Sequence, residues 1–457
     1  MNTLTIINPA TGTPITEIPC DDVTTIALKT AQARAAQPGW HAVPLAERKT
    51  CIERFRAFVV RDLESLARTL TQETGKPIKQ SRNELNGLLG RIDFFLGAVD
   101  ACAQTTTVFN EGGMCEQIEQ MPLGVVANIS AWNYPWFVGG NVFVPALLTG
   151  NAVLYKPSEF ATMTGLAIAR LLHEAGVPKD VFITLVGKGA VGEALLGERI
   201  DGLFFTGSYA TGASIARAVG PRMIKLQLEL GGKDPTYVCP DANVKNAALS
   251  LADGAMYNAG QSCCSVERIY VHESIHDEFL QHFIDEVKTF KVGDAMREDT
   301  YIGAMTRAAQ LDVLDAQVKD ATNKGATLHV GGHRLPEPGN WYVPTVFSNV
   351  NHSMEVMREE SFGPIIGIQK VSSDEEAVAL MNDTRYGLTA GVFTPDEARA
   401  RRILSHVNAG SVYWNCCDRV SPRLPWTGYG DSGIGLTLST YGVQTFCRPK
   451  AWHLRSH

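Results

Sequence analysis

The 457-residue sequence contains no dense run of lysine or arginine, and its 41 basic side chains are outnumbered by 48 acidic ones, for a net charge of −7. Without a basic stripe, neither nucleic acid nor an anionic membrane is expected as a partner. No apolar stretch reaches the roughly 20 residues that a bilayer-spanning helix needs. The opening MNTLTIINPATGTPITEIP has no basic start followed by an apolar core. A signal peptide is therefore not expected, and the cytoplasm is the default compartment. None of the ten cysteines is spaced CxxC, so neither a zinc site nor a thioredoxin-like centre is expected. Cys263–Cys264 and Cys416–Cys417 are adjacent pairs. Neighbouring Cα atoms lie about 3.8 Å apart, below the usual separation across a disulfide, so neither pair should be a structural bridge. Internal repeats, low-complexity tracts and long linkers are also missing.

What remains is an ordinary globular composition, with 45% apolar and 19% charged residues. The length suggests two or three domains. The first hundred residues read as mostly helical, with one helix stopping near Gly75-Lys76-Pro77. A hairpin is expected around NEGG (110–113). The apolar runs GVVANIS (124–130), AVLYKPS (152–158), VFITLVG (181–187), LFFTGS (203–208) and LQLELGG (226–232) then alternate with helical segments. That alternation is the pattern of a parallel sheet covered on both faces, which binds ligands at the carboxyl ends of its strands. A second α/β set follows Gly232. The last nineteen residues (439–457) are apolar and β-prone enough to form a pairing strand.

Chemistry-bearing residues fall at two of these strand ends and at a turn before a later strand. FFTGSYATGASIARAV is a strand, a Gly-rich turn and a helix. Gly207 and Gly212 flank the turn, and the helix start could face a pyrophosphate. The spacing is GxxxxG, which as a motif is also that of an ordinary turn. Lys156 and Glu159 end another strand, where a carboxylate can take both ribose hydroxyls, although a solvated loop reads the same way. Cys263 sits after a Gly-Gln turn and before a strand, a place that exposes a nucleophile. Cys264, one residue on, is expected to point the other way and pack.

NAGQSC (258–263), ELGGKDP (229–235), AWNYP (131–135), LYKPSE (154–159), FTGS (205–208) and EESFGP (359–364) occur together in one order. With them, the chain resembles the NAD(P)-dependent aldehyde dehydrogenase superfamily almost end to end. The resemblance implies a Rossmann-type NAD-binding domain (1–102 and 122–229), a catalytic α/β domain (230–438) and a small β oligomerisation element (103–121 and 439–457). It implies Cys263 as nucleophile, Glu229 as the base that activates water, and Asn133 with the Cys263 N–H as oxyanion donors. Lys156, Glu159, Gly207, Ser208, Gly212, Glu360, Phe362 and Trp132 would hold the dinucleotide. Glu159 would repel a 2′-phosphate, so NAD is expected over NADP. A homodimer or homotetramer is implied as well.

The substrate tunnel implied by resemblance is lined by Tyr134, Trp136, Phe137, Tyr257, Trp414 and Trp426. Three readings are ordered as follows. The first is an apolar tunnel for aliphatic or aromatic aldehydes. The second is an aromatic box of Tyr134, Tyr257 and Trp426 for a quaternary ammonium, with Asn141 where one aromatic would stand. The third is a carboxylate clamp by Arg419 and Arg423. A non-catalytic dinucleotide-binding or structural protein is the alternative of another class. Two positions depart from the family pattern: Thr437, where an acidic residue is frequent, and Thr427 in PWTG.

Overall fold

The computed structural model describes residues 2–417 and 419–456. One six-stranded sheet runs in the order Gly433–Ile434, Lys225–Glu229, Gly202–Thr206, Val125–Ile129, Ala152–Lys156, Phe182–Thr184. Every neighbouring pair is parallel except the first. Alternate residues of a strand face opposite sides of the sheet. So Val125, Ala127 and Ile129 pack with Ile26, Ala33, Ile215 and Val219 on one side. Val126, Val153 and Tyr155 pack with Phe55, Phe143 and Leu172 on the other. Helices thus cover both faces, which is why these strands read as continuous apolar runs.

A second, seven-stranded sheet runs Thr327–Val330, Thr345–Ser348, Ile365–Val371, Arg268–His272, Pro235–Val238, Thr389–Phe393, Ser411–Trp414. Only the Thr327–Val330 edge is antiparallel. Helices Val244–Met256 and His276–Thr289 bury Leu251, Phe279 and Phe283 against it. The fold is therefore α/β with two doubly covered sheets.

The expected hairpin is Thr106–Glu111 with Met114–Pro122, closed through Gly112 and Gly113 at φ +58° and +79°. Cys447–Arg455 pairs along Met114–Pro122 and makes a three-stranded antiparallel sheet. Three details differ from the sequence reading. Residues Thr3–Ile7 and Pro14–Pro19 form an antiparallel pair before the first helix, with only Leu4 and Ile6 buried in the first strand. Such a short alternation is easily lost beside long helical periods. The tail is not all strand, since Ser439–Gln444 is helical and carries Val443 and then Phe446 into the core. Gly433–Ile434, far along the chain, completes the six-stranded sheet rather than the seven-stranded one. No helix of the described residues is long and apolar enough to cross a membrane.

Candidate active site

The backbone between Val244–Met256 and Cys263 is forced into an uncommon shape. Asn258, Ala259 and Gly260 have φ of +55°, +55° and +67° in succession. Asparagine and glycine tolerate this region; alanine there costs roughly 1–2 kcal/mol. Glycine is obligatory at 260 for a second reason, because a Cβ would lie 2.2 Å from the Gly363 carbonyl oxygen. Side chains over-determine the turn. The Asn258 amide donates to the carbonyls of Asn133 (3.3 Å) and Gln261 (3.1 Å), and its own N–H donates to Gln80 Oε1 (3.0 Å).

Cys263 and Cys264 occupy the turn that follows, and the strand begins only at Arg268. Strand alternation therefore does not divide the two cysteines, yet the expected division holds: Cys264 is buried in the core and Cys263 is half-buried. Both line one cavity of about 550 Å³. The Cys264 thiol hydrogen-bonds the Cys263 thiol and lies 3.4 Å from Ser262 Oγ. That hydrogen bond, burial and the Glu229 carboxyl together hold the Cys263 thiol well above its ordinary range.

Glu229, the last residue of Lys225–Glu229, faces the same cavity. Its Oε1 accepts from the Trp426 indole N–H at 3.1 Å. Its Oε2 is buried. Burial pushes this carboxyl up to about 7, against the opposing pull of Trp426 and the Cys263 thiol. Asn133 is buried and stands behind the lining residues rather than among them. One proton of its amide is given to the Gln261 carbonyl at 3.2 Å, which ties it to the Cys263 turn. Its own carbonyl accepts from Lys76 Nζ at 2.6 Å, and Lys76 is in turn ion-paired to buried Glu84.

The residues expected at the dinucleotide lie outside this cavity, along the carboxyl edge of the six-stranded sheet. Lys156 ends Ala152–Lys156, with Nζ 3.7 Å from Glu159. Burial pulls the Lys156 ammonium down, with Glu159 opposing. Ser208 caps helix Tyr209–Val219 through the Thr211 N–H. Gly212 lets that helix approach, since a Cβ there would lie 2.5 Å from Leu230. A Cβ at Gly207 would meet the Phe205 ring. Glu360 accepts from the Gly232 N–H at 3.1 Å, and burial pushes its carboxyl up to about 8. Trp132 and Phe362 meet edge to face at 5.6 Å. Phe362 has φ +45°, and Glu267 accepts from its N–H (3.0 Å) while pairing with Lys233 at 2.5 Å. A capped helix start, a close glycine, a carboxylate and flat aromatic surfaces are a donor set that fits a dinucleotide.

Of the six aromatic residues expected at the tunnel, Tyr134, Phe137, Tyr257 and Trp426 line the cavity. Trp136 does not. It is fully buried in the core, because helix Pro135–Leu148 is enclosed almost all round. Trp414 is also elsewhere: it is 39% exposed and donates to the Thr394 carbonyl at 2.8 Å. Strand alternation buries Tyr413 and turns Trp414 outward. Arg419 lines the cavity and Arg423 does not. The sequence reading passed over Arg91, Cys416 and Cys417, which also line it. The signal for Arg91 was there: it follows Glu84 and Leu88 and precedes Phe95 on one helical stripe of Ile78–Ala103.

The aldehyde dehydrogenase family model matches residues 1–452. A protein of Mycobacterium ulcerans (strain Agy99), provisionally named an NADP(+) succinate-semialdehyde dehydrogenase, is 36% identical over 439 residues, 95% of this chain and 85% of its own. Betaine aldehyde dehydrogenase of Bacillus subtilis (strain 168) is 33% identical over 427 residues, 92% of this chain and 87% of its own. The crystal structure of a Staphylococcus aureus betaine aldehyde dehydrogenase point mutant with NAD+ superposes with a TM-score of 0.95. It shares 30% identity, over 99% of this chain and 94% of that one. The match over nearly the whole length puts the thiol, the raised carboxyl and the two covered sheets in one context: this chain belongs to the aldehyde dehydrogenase family, and it is an oxidoreductase of that kind.

Proposed function

We propose that Cys263 is the nucleophile and Glu229 the base of an NAD-dependent oxidation of an aldehyde to a carboxylate. One observation carries this reading: the Cys263 thiol and the raised carboxyl of Glu229 interact directly inside the same cavity. Cys263 Sγ attacks the aldehyde carbon, and the thiol proton passes to Glu229, whose range near 7 suits both directions of transfer. The new oxyanion is met by the Cys263 N–H and by the Asn133 amide proton not given to Gln261. Such donors are worth roughly 3–4 kcal/mol each. When bound, the nicotinamide supplies the hydride acceptor, which leaves a thioester on Cys263. Glu229 releases the thiol proton to solvent and then takes a proton from the hydrolytic water as its oxygen attacks the thioester carbonyl; the acid departs, and Glu229 returns that proton to the Cys263 thiolate.

Lys156, Glu159, Gly207, Ser208, Gly212, Trp132, Glu360 and Phe362 are assigned to the dinucleotide. NAD is favoured over NADP because the Glu159 carboxylate would face a 2′-phosphate. A kcat/KM ratio near one between the two cofactors would sink that preference. The three-stranded sheet is assigned to a homo-oligomer interface, supported by exposed Val108, Phe109, Trp452 and Leu454. A reducing compartment such as the cytoplasm is supported by all ten cysteines being thiols.

The test is NAD+ reduction by Cys263→Ala and Cys264→Ala with a panel of aldehydes. Cys263→Ala is expected to lose all oxidation, and Cys264→Ala to retain it. Full activity in Cys263→Ala would overturn the mechanism. Tight NAD+ binding by the wild type with no turnover of any aldehyde would favour a non-catalytic protein.

A further inference from the structure

The cavity is not the apolar tunnel that its aromatic residues suggest. Arg91 lines it and is 6% exposed. Among the described residues its Nε is buried without a partner, and its one hydrogen bond, Nη1 to the Gly87 carbonyl, is long at 3.5 Å. No carboxylate among the described residues pairs with it. Glu84 is the nearest acidic influence, but its two oxygens are taken by Lys76 and by the Trp136 N–H. Asn141, 7% exposed, also lines the cavity with an orphaned Oδ1. Burial pushes the Arg91 guanidinium down only to about 10, so it is charged at neutral pH. A buried charge with no counter-ion is costly unless a ligand brings one.

The aromatic faces argue in the same direction. Tyr134 and Phe137 are stacked at 5.8 Å and 5°. Lys76 Nζ lies over the Tyr134 ring at 3.8 Å, and the Arg91 guanidinium lies over the Phe137 ring at 3.7 Å. Each ring therefore already has a cation of the protein on it. A quaternary ammonium entering the cavity would be placed near a fixed positive charge.

We propose that the cavity selects an aldehyde carrying a carboxylate at its other end, an ω-oxo acid, with Arg91 as the residue that receives the carboxylate and Asn141 as its neutral companion. This rests on the aldehyde oxidation assigned above. The guanidinium offers two parallel N–H bonds to a carboxylate, and stacking on Phe137 holds its plane. Asn141 supports it by turning its amide so that an N–H, instead of the orphaned oxygen, meets the ligand.

The test compares kcat/KM for unbranched ω-oxo acids of four to six carbons with their methyl esters and with betaine aldehyde. It is run on wild type, Arg91→Gln and Arg91→Lys. The acid-to-ester ratio within each protein cancels any general damage from the substitution. The wild type is expected to prefer the acid by roughly 10–100-fold, the discrimination given by a hydrogen bond to a charged group. Arg91→Gln should bring the ratio close to one, and Arg91→Lys should restore part of it. Equal use of acid and ester by the wild type, or an unchanged ratio in Arg91→Gln, overturns the proposal, as does preference for betaine aldehyde or for a phosphate-bearing aldehyde. Binding of glutarate by calorimetry separates this inference from the mechanism. Glutarate bound by wild type and lost in Arg91→Gln upholds the carboxylate site even if no aldehyde is turned over, and absence of glutarate binding to the wild type counts against it.

Discussion

Glu229 has to be buried to lie beside the Cys263 thiol, yet the proposed work as a base needs it ionised. Burial settles the compromise at about 7. The hydrolytic step is therefore expected to rise with pH up to about 7 and to level off above it, measured as steady-state turnover under conditions where acyl transfer limits. The same shift has a stability consequence. A carboxyl raised from its ordinary 4.5 to about 7 in the folded state contributes stability fully below pH 4.5 and loses it as pH climbs through 7. Glu229→Gln removes that loss. Relative to wild type, it should gain up to about 3 kcal/mol between pH 4.5 and 8 in urea titrations. It should also lose the acceptor for the Cys263 thiol proton, so neither a burst of reduced cofactor nor steady turnover is expected near pH 7. Steady turnover in Glu229→Gln would mean that the base lies elsewhere. At this scale the sequence said much. The thiol and the carboxyl were legible because they sit at strand and turn ends in family register. Trp136 was misread because neighbouring a motif does not set the rotational phase of a helix that is buried almost all round.

Among the elements, the loop from Glu359 to Pro364 takes two of its backbone anchors from one buried side chain. Glu267 accepts from the N–H groups of Ser361 and Phe362 and from Lys233 Nζ. Phe362 is thereby kept at φ +45°, an unfavourable backbone for an aromatic residue. Glu267→Gln leaves the buried Lys233 without its counter-charge, with Ser361 Oγ at 3.0 Å as its remaining acceptor. The expected loss is about 3–5 kcal/mol, with a raised KM for NAD+ because Glu360 and Phe362 lose their anchor. A loss of stability with unchanged KM would mean that this loop does not touch the cofactor. The five apolar runs were readable as strands because a doubly covered sheet demands apolar residues at successive positions. The strand Gly433–Ile434 was not, since two residues carry no period. Arg91 escaped for another reason: one charged residue inside an apolar stripe reads as noise until the structure shows that no carboxylate among the described residues pairs with it.

Across the whole molecule, the three-stranded sheet stands apart from the two cores. Its exposed apolar side chains carry a prediction. Trp452→Lys with Phe109→Lys should shift sedimentation toward the monomer, with little change in the far-ultraviolet spectrum. A wild-type monomer would remove the assigned role of this sheet. The two-sheet architecture was legible from the alternation of strands and helices. Which segment completes which sheet was not, because pairing between residues 200 apart leaves no local trace.

That distant pairing also orders events in time. Gly433 pairs with Glu229, Phe446 stacks on Phe204, and the Phe446 carbonyl accepts from Leu123 N–H and Asn151. A chain emerging from the ribosome exposes Cys263 long before the segment that closes the sheet beside Glu229 has been made. The thiol and the carboxyl are therefore brought together only after residues 433–446 have been made, so a chain interrupted before them is expected to be inert.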